Sequence, residues 1–218
     1  MGYIFRPGLH ACDVAGSLVF LDLPADRYFL LAPDLNTICL QLCSGHELSC
    51  GDDSVHRLID HDIVRWADSA IRPALCLPLP CPDTNGRDRG MEAPSALMIT
   101  ALVHYAFAIA HLKSRSLNRI LDSIAFDKQR LSADGSAQDP AEVAAGFMAA
   151  DRLITARGRC LARSIAIART LVSRGIAPDL VLGVKLRPFE AHCWVQHGKT
   201  LISDDPGTVA PFSPILII

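Results

Sequence analysis

The chain has 218 residues, of which 50% are hydrophobic, and this suits one large domain or two small ones with a substantial core. Its formal net charge of −2 at pH 7 gives no general electrostatic reason to bind nucleic acid or an anionic membrane surface. The first residues lack the apolar core of a signal peptide, so the 8 cysteines predict reduced thiols in a cytoplasmic protein and not a disulfide framework.

The first part of the chain, residues 1–75, predicts a small winged-helix-like module of three strands and three helices. Apolar runs that are separated by turns containing Gly or Pro are typical of short antiparallel strands. Three such runs span residues 10–14, 17–23 and 27–31. The three helices predicted after them span residues 35–43, 53–60 and 61–71.

A group of metal-ligand residue types, Cys39, Cys43, His46 and Cys50, lies in this module. The spacing is not the paired CxxC arrangement that is typical of zinc sites. Cys39 and Cys43 are four residues apart, so they share one face of the predicted helix, as core residues do. We therefore predict no metal site, and no other part of the sequence indicates a cofactor.

Residues 76–94 are rich in proline and glycine, and this composition predicts a linker to a second domain at 95–218. The second domain begins with helical patterns at 95–114, 117–130 and 141–155. It ends with strand-like runs at 180–186, 191–196 and 200–203. Helices followed by an antiparallel sheet indicate an α+β fold.

The apolar segment 96–112 has about the minimum length of a membrane span, but His104 and His111 interrupt it. Helices that are apolar on most faces also occur in the cores of soluble domains. We therefore predict a buried helix and no association with a membrane.

Cys160 directly follows the turn Arg157-Gly158-Arg159 and opens an amphipathic run that Gly175 closes. A thiol at a helix N-terminus is favoured as a thiolate by the unpaired N–H groups and the helix dipole. His192 and Asp204 follow on two predicted strands, so nucleophile, base and orienting carboxylate occur in the order Cys, His, Asp. This order predicts a thiol hydrolase or acyltransferase, and the alternative is that Cys160 is a small core residue.

Four arginines lie close to Cys160 in the sequence, namely Arg152, Arg157, Arg159 and Arg163. Such a set is typical of a solvated face. The alternative is that one of them lowers the pKa of the thiol or holds an acidic part of a substrate.

The run Cys160-Leu161-Ala162-Arg163-Ser164, the later Arg174-Gly175-Ile176-Ala177 and the strand Ala191-His192-Cys193-Trp194-Val195 together closely resemble the lasso peptide biosynthesis B proteins. The resemblance implies a leader peptidase with a transglutaminase- or papain-like cysteine-protease domain. It carries the roles of nucleophile, base and acid to Cys160, His192 and Asp204, with Asp205 as the neighbouring alternative. Cys193 stands where many relatives have alanine, and on a strand its side chain points away from that of His192, so we expect it to pack.

The resemblance extends to residues 1–75, which are similar to the PqqD-type recognition domains of peptide-modifying systems. It implies that the leader of a ribosomal precursor peptide adds a strand to the sheet of this module. The implied contacts are Tyr28, Phe29 and Leu30 on the strand and Ile63, Val64 and Trp66 on a facing helix. It also implies a partner, an asparagine-synthetase-like ATP-dependent cyclase that closes the lasso ring. Two other hypotheses remain open: a leader-binding delivery protein without protease activity, and a transglutaminase-like acyltransferase.

Overall fold

The structure is a computed structural model, and it describes residues 2–45, 53–80, 82, 84–85, 95–131, 139–154 and 160–218. The chain forms two compact units. The first comprises Met1–Pro78 with Ser213–Leu216, and the second comprises Leu79–Phe212 with Ile217–Ile218.

The first unit is built on a three-stranded antiparallel sheet, as predicted. Its strands are β2 (Leu9–Val14), β3 (Ser17–Asp22) and β4 (Arg27–Leu30), and they follow a strand β1 (Gly2–Phe5) that the sequence analysis missed. The turn between β2 and β3 needs positive φ at Ala15 (52°) and Gly16 (83°), which is the geometry of a tight hairpin turn. The two helices that the structure describes here are α1 (Pro33–Ser44) and α2 (Asp53–Asp60).

The predicted third helix at 61–71 is wrong. Residues Val64–Ala67 form a strand, β5, which pairs antiparallel with β1 so that Val64 faces Phe5 and Trp66 faces Tyr3. Asp62, two residues after the end of α2, adopts a positive φ of 52°, and this ends the helical path. The described part of the first unit therefore has two helices and an additional two-stranded sheet, which is not the predicted set of three strands and three helices.

The predicted helices of the second unit are confirmed. They are α3 (Ser95–Ser114), α4 (Leu117–Gln129), α5 (Pro140–Asp151) and α6 (Cys160–Ser173). The start of α5 is fixed locally, because the Asp139 carboxylate accepts a hydrogen bond from the N–H of Ala141 and Pro140 occupies the first turn.

Helix α3 is long and apolar enough to cross a membrane by length and composition, a test that core helices of soluble proteins also pass. It packs against α5 and α6 through one face, which contains Leu97, Ala101, Tyr105 and Ala108. Ile99, Val103 and Phe107 lie on the opposite face and are exposed. The prediction that this helix is buried is therefore wrong for the face that contains these three residues.

A five-stranded sheet with the order β10-β7-β8-β9-β6 completes the fold. Its strands are β6 (Thr84–Asn85), β7 (Asp179–Lys185), β8 (Glu190–His197), β9 (Thr200–Leu201) and β10 (Ser213–Ile217), with a short helix α7 (Pro206–Val209) before the last strand. The strand β6 comes from the segment 76–94 that was expected to be a linker, most of which lies outside the described residues. The predicted strands β7, β8 and β9 are confirmed, whereas β6, β10 and α7 were not predicted.

Candidate active site

Cys160 is the first residue of α6, the most deeply buried helix of the second unit. The helix is enclosed along most of its length, from Ala162 to Ala168 and at Thr170 and Leu171. Its first residue lies at the edge of this packing and is only partly buried. The unpaired N–H groups of a helix start are therefore beside a thiol that solvent can reach.

His192 lies on β8, where it pairs with Gly183 of β7. Its side chain lies close enough to Cys160 for each of the two groups to shift the pKa of the other. Its Nε2 atom lies 3.4 Å from Oδ1 of Asp204, within the range of an ion pair but without the alignment of a hydrogen bond. The imidazole ring also lies beside two aromatic rings, with centroid distances of 6.3 Å to Trp194 and 5.3 Å to Phe212.

Asp204 follows β9, and its side chain is 19% exposed. The neighbouring Asp205 is exposed and precedes α7 as its N-cap residue. The structure therefore brings Asp204, and not Asp205, to His192. Cys160, His192 and Asp204 come from α6, β8 and the segment after β9, and they meet in one place as the sequence order suggested.

The electrostatics of the three residues favour a thiolate beside an imidazolium. Interactions with Asp204 and with Cys160 raise the pKa of His192 to about 9. The interaction with His192 lowers the pKa of Cys160, and the backbone N–H groups of Cys193 and Leu161 act in the same direction. Burial alone would raise the pKa of Asp204, but the interaction with His192 and the hydrogen bond from Ser203 lower it below its ordinary value. The arrangement can therefore support nucleophilic attack by the Cys160 sulfur.

Two further residues support this arrangement, and the sequence analysis did not give either of them this role. Ser203 is fully buried, and its hydroxyl donates a hydrogen bond to Oδ2 of Asp204. Arg163 is 9% exposed, so its assignment to a solvated basic face is wrong. Its guanidinium binds the Asp151 carboxylate and the backbone oxygen of Ser203. The signal that pointed to it was its position three residues after Cys160, on the same side of the helix.

The predictions for the other three arginines and for Cys193 have separate outcomes. Arg152 is exposed, whereas Arg157 and Arg159 lie outside the described residues. Cys193 is 3% exposed, and its backbone oxygen accepts a hydrogen bond from Ser164. The prediction that Cys193 packs in the core is confirmed.

In the described part of the chain, no group of three or more His, Cys, Asp or Glu side chains is arranged to hold a metal ion. Cys39 is buried on α1, and Cys43 lies one turn further along the same helix. His46 and Cys50 lie outside the described residues.

The six residues that were predicted to contact a leader peptide are distributed between a sheet edge and a core. Tyr28, Phe29 and Leu30 lie on β4, which is the last strand of its three-stranded sheet. Ile63 and Val64 are 4% and 0% exposed, so they belong to the hydrophobic core of the first unit. Trp66 is 50% exposed on β5 and lies beside the ring of Tyr3. The facing helix that was expected to carry the last three of these residues is not formed.

Gly183 provides space for the aromatic group beside His192. A Cβ atom built on Gly183 would lie 2.5 Å from the ring of Trp194 and 3.2 Å from Cβ of Phe212. Trp194 is itself only 4% exposed within a core cluster with Val181, Leu201 and Val209, so it has little room to move.

We therefore expect Gly183→Ala to lower the free energy of unfolding by about 1–3 kcal/mol through overpacking. Denaturant unfolding monitored by tryptophan fluorescence measures the effect. Gly207→Ala is the matched control, because a Cβ atom there would meet nothing within 4 Å. Equal stability of the Gly183→Ala variant and the wild type would contradict the close approach of the Trp194 ring to β7.

Comparison with known proteins assigns most of the second unit to a known superfamily. The family model of the transglutaminase-like superfamily matches residues 101–217, which include all three residues of the site. The microcin J25-processing protein McjB of Escherichia coli is 47% identical over 47 residues, which are 22% of this chain and 23% of that protein. The matched part of the chain thus spans about a quarter of the length of this curated relative. No solved structure matches the chain.

Proposed function

Because the chain belongs to the transglutaminase-like superfamily, we propose that it is a cysteine peptidase that removes the leader from a ribosomally made precursor of a lasso peptide. The observation that carries the proposal is the grouping of three side chains: Cys160 interacts with His192, and the Nε2 atom of His192 lies 3.4 Å from Oδ1 of Asp204. A thiolate–imidazolium pair is the ground state that a cysteine peptidase requires.

The reaction follows from the positions of these groups. The Cys160 sulfur attacks the carbonyl carbon of the leader–core amide, and the C–N bond breaks as the His192 imidazolium gives its proton to the leaving amine. A water molecule then attacks the thioester while His192 takes its proton, and the C–S bond breaks, which releases the leader as an acid and restores the thiolate–imidazolium pair. Asp204 stays ionised throughout and keeps the imidazole oriented.

Two sequence observations support the peptide class of the substrate. The matched relative is named as a processing protein for microcin J25. The ordered motifs around Cys160, Gly175 and His192 resemble the lasso peptide biosynthesis B proteins. On this reading the reaction frees the N-terminal amine of the core, which an ATP-dependent, asparagine-synthetase-like cyclase joins to an acidic side chain. We also propose that the reaction takes place in the cytoplasm, where a ribosomal precursor is made.

Mass spectrometry of a candidate precursor peptide, incubated with the wild-type protein and with Cys160→Ala, tests the proposal. We expect two fragments whose masses sum to that of the precursor plus one water, and no fragments with the variant. A product in which the acyl group has moved to an added amine would favour the acyltransferase. Intact peptide that still binds to the wild-type protein would favour the delivery protein.

We further propose that the first unit binds the leader as an additional strand beside β4. This strand pairs with β3 on one side and ends the three-stranded sheet on the other. An edge strand of this kind offers backbone donors and acceptors to an extended peptide. Phe29 supports the strand from the core by stacking on Phe20, and Leu30 is 51% exposed.

We expect Leu30→Lys to raise the KM for the precursor about tenfold without a change in kcat, because binding of the leader would lose an apolar contact. Steady-state kinetics of precursor cleavage provide the measurement. Leu77→Lys is the matched control, since Leu77 is 79% exposed in the same unit but lies on no strand. An unchanged KM for Leu30→Lys, or an equal rise for Leu77→Lys, would contradict the role of β4.

A further inference from the structure

We propose that Arg163 is a positioning residue of the active site, which fixes the backbone at Ser203 and thereby holds the Asp204 carboxylate against His192. The inference deepens the proposed peptidase function and depends on it for the meaning of the site. It assigns a task to a buried cation that the reaction itself does not use.

Arg163 lies three residues after Cys160 on α6, so its side chain leaves the helix on the same side as the nucleophile and about one turn further along. The side chain is 10% exposed. A guanidinium that is withdrawn from water in this way is costly unless its hydrogen bonds are satisfied. The partners of Arg163 therefore indicate what it holds in place.

Two parts of the chain satisfy the guanidinium. On one side, Nε lies 3.0 and 3.1 Å from the two carboxylate oxygens of Asp151, and Nη2 lies 2.7 Å from Oδ2 of the same residue. On the other side, Nη1 donates a hydrogen bond to the backbone oxygen of Ser203. Asp151 is the last residue of α5, so the guanidinium joins the end of one helix to the residue before the catalytic carboxylate.

Ser203 transmits this restraint to Asp204. Its hydroxyl donates to Oδ2 of Asp204 and accepts a hydrogen bond of 2.9 Å from the N–H of Val195 on β8. One carboxylate oxygen of Asp204 is therefore held by Ser203, and the other is directed at Nε2 of His192. Because that contact is already long at 3.4 Å, a small displacement of the Ser203–Asp204 segment would remove it. The charge of Arg163 also helps to keep the pKa of Asp204 low.

A second arginine shows what a purely structural bridge between the same helices looks like. Arg174, just after α6, pairs with Glu142 in the first turn of α5 at 3.2 Å. This pair also connects α5 to the α6 region, but no bond to the Ser203–Asp204 segment is found among its described contacts. Bridging the helices therefore does not require the contact that Arg163 makes with Ser203.

The test compares Arg163→Lys with the matched control Arg174→Lys, first in a reaction that needs no peptide. The rate of iodoacetamide alkylation, measured at each pH and mapped to Cys160 by mass spectrometry, reports the fraction of thiolate. Lysine keeps the positive charge, but its single ammonium group cannot form a bidentate pair with Asp151 and also reach the backbone oxygen of Ser203. We expect the alkylation midpoint of Arg163→Lys to move to higher pH, and its kcat to fall about 10- to 100-fold with little change in KM. Arg174→Lys should match the wild type in both measurements.

A double-mutant cycle distinguishes positioning from general stabilisation. If Arg163 acts through Asp204, then Arg163→Lys should add nothing to the effect of Asp204→Asn on the alkylation profile. Ser203→Ala leaves the pair of Arg163 and Asp151 intact and should shift the alkylation profile in the same direction as Arg163→Lys. If Arg163→Lys does not fold, Ser203→Ala tests the inference in its place.

The inference would be overturned if Arg163→Lys and Ser203→Ala had the alkylation profile of the wild type. It would also be overturned if Arg174→Lys lost as much kcat as Arg163→Lys, or if the effects of Arg163→Lys and Asp204→Asn on the alkylation profile were fully additive. Because alkylation needs no substrate, the result is separate from the proposed function. A shifted profile together with no cleavage of any precursor would count against the peptidase alone.

Discussion

Replacement of His192 by alanine should reduce the turnover of the precursor peptide at least about a thousandfold. His192 has two tasks in the proposed reaction: its positive charge stabilises the Cys160 thiolate, and its proton goes to the leaving amine. Without the imidazole, the pKa of the thiol rises, because the interaction with His192 is the largest cause of its lowered value. Both the nucleophile and the acid are then lost together.

The measurement is kcat from the rate of fragment formation, followed by mass spectrometry at saturating precursor. His197→Ala is the matched control, because His197 lies on the same strand β8 but is exposed and contacts only the backbone oxygen of Ala177 among its described hydrogen bonds. It should retain the activity of the wild type. Activity of His192→Ala above about a tenth of the wild-type value would remove His192 from the mechanism.

The second large effect is expected for Asp204→Asn, in the rate and in its dependence on pH. In the proposed reaction, the active form of the wild type has Cys160 ionised and His192 protonated. Activity should therefore fall as pH rises through about 9, where the imidazolium loses its proton. The interaction with the Asp204 carboxylate is the largest cause of the raised pKa of His192. Loss of the carboxylate should move this basic limb to lower pH, towards the ordinary value of about 6.5.

We expect kcat of Asp204→Asn to fall about 10²- to 10⁴-fold, because the asparagine amide cannot stabilise the imidazolium and does not enforce its orientation. Profiles of kcat against pH for the wild type, Asp204→Asn and Asp205→Asn provide the test. Asp205 is exposed and is not directed at His192, so its variant should keep both the rate and the position of the basic limb. A basic limb that moves in Asp205→Asn, or one that stays in place in Asp204→Asn, would show that Asp204 is not the carboxylate that orients His192.

The success of the sequence in predicting the helices of the second unit has a local cause. Helix α5 starts at the Asp139-Pro140 pair and α6 is followed by Gly175 with a positive φ of 76°, and both signals act within a few residues of the chain. Signals of this kind can be recognised from the amino-acid sequence without knowledge of the fold. The hairpin turn at Ala15-Gly16 belongs to the same class.

The failure at residues 61–71 has the opposite cause. Val64–Ala67 form a strand because they pair with Gly2–Phe5, which lie about sixty residues earlier in the chain. The apolar residues of this short segment fit a helix or a strand equally well, and only the distant partner decides between them. The same applies to β6, which pairs in parallel with β9 across more than a hundred residues.

For the active site, the sequence alone determined the residue types, their order and the placement of a thiol at the start of a helix, since these depend on periodicity and on local turn signals. The tertiary structure decided the rest. It selected Asp204 over Asp205 through proximity to His192, and it placed Arg163 in the interior by bringing Asp151 and the backbone of Ser203 to it. The physical reason is that burial and long-range hydrogen bonds arise from the folded neighbours of a residue, and its neighbours in the sequence do not contain that information.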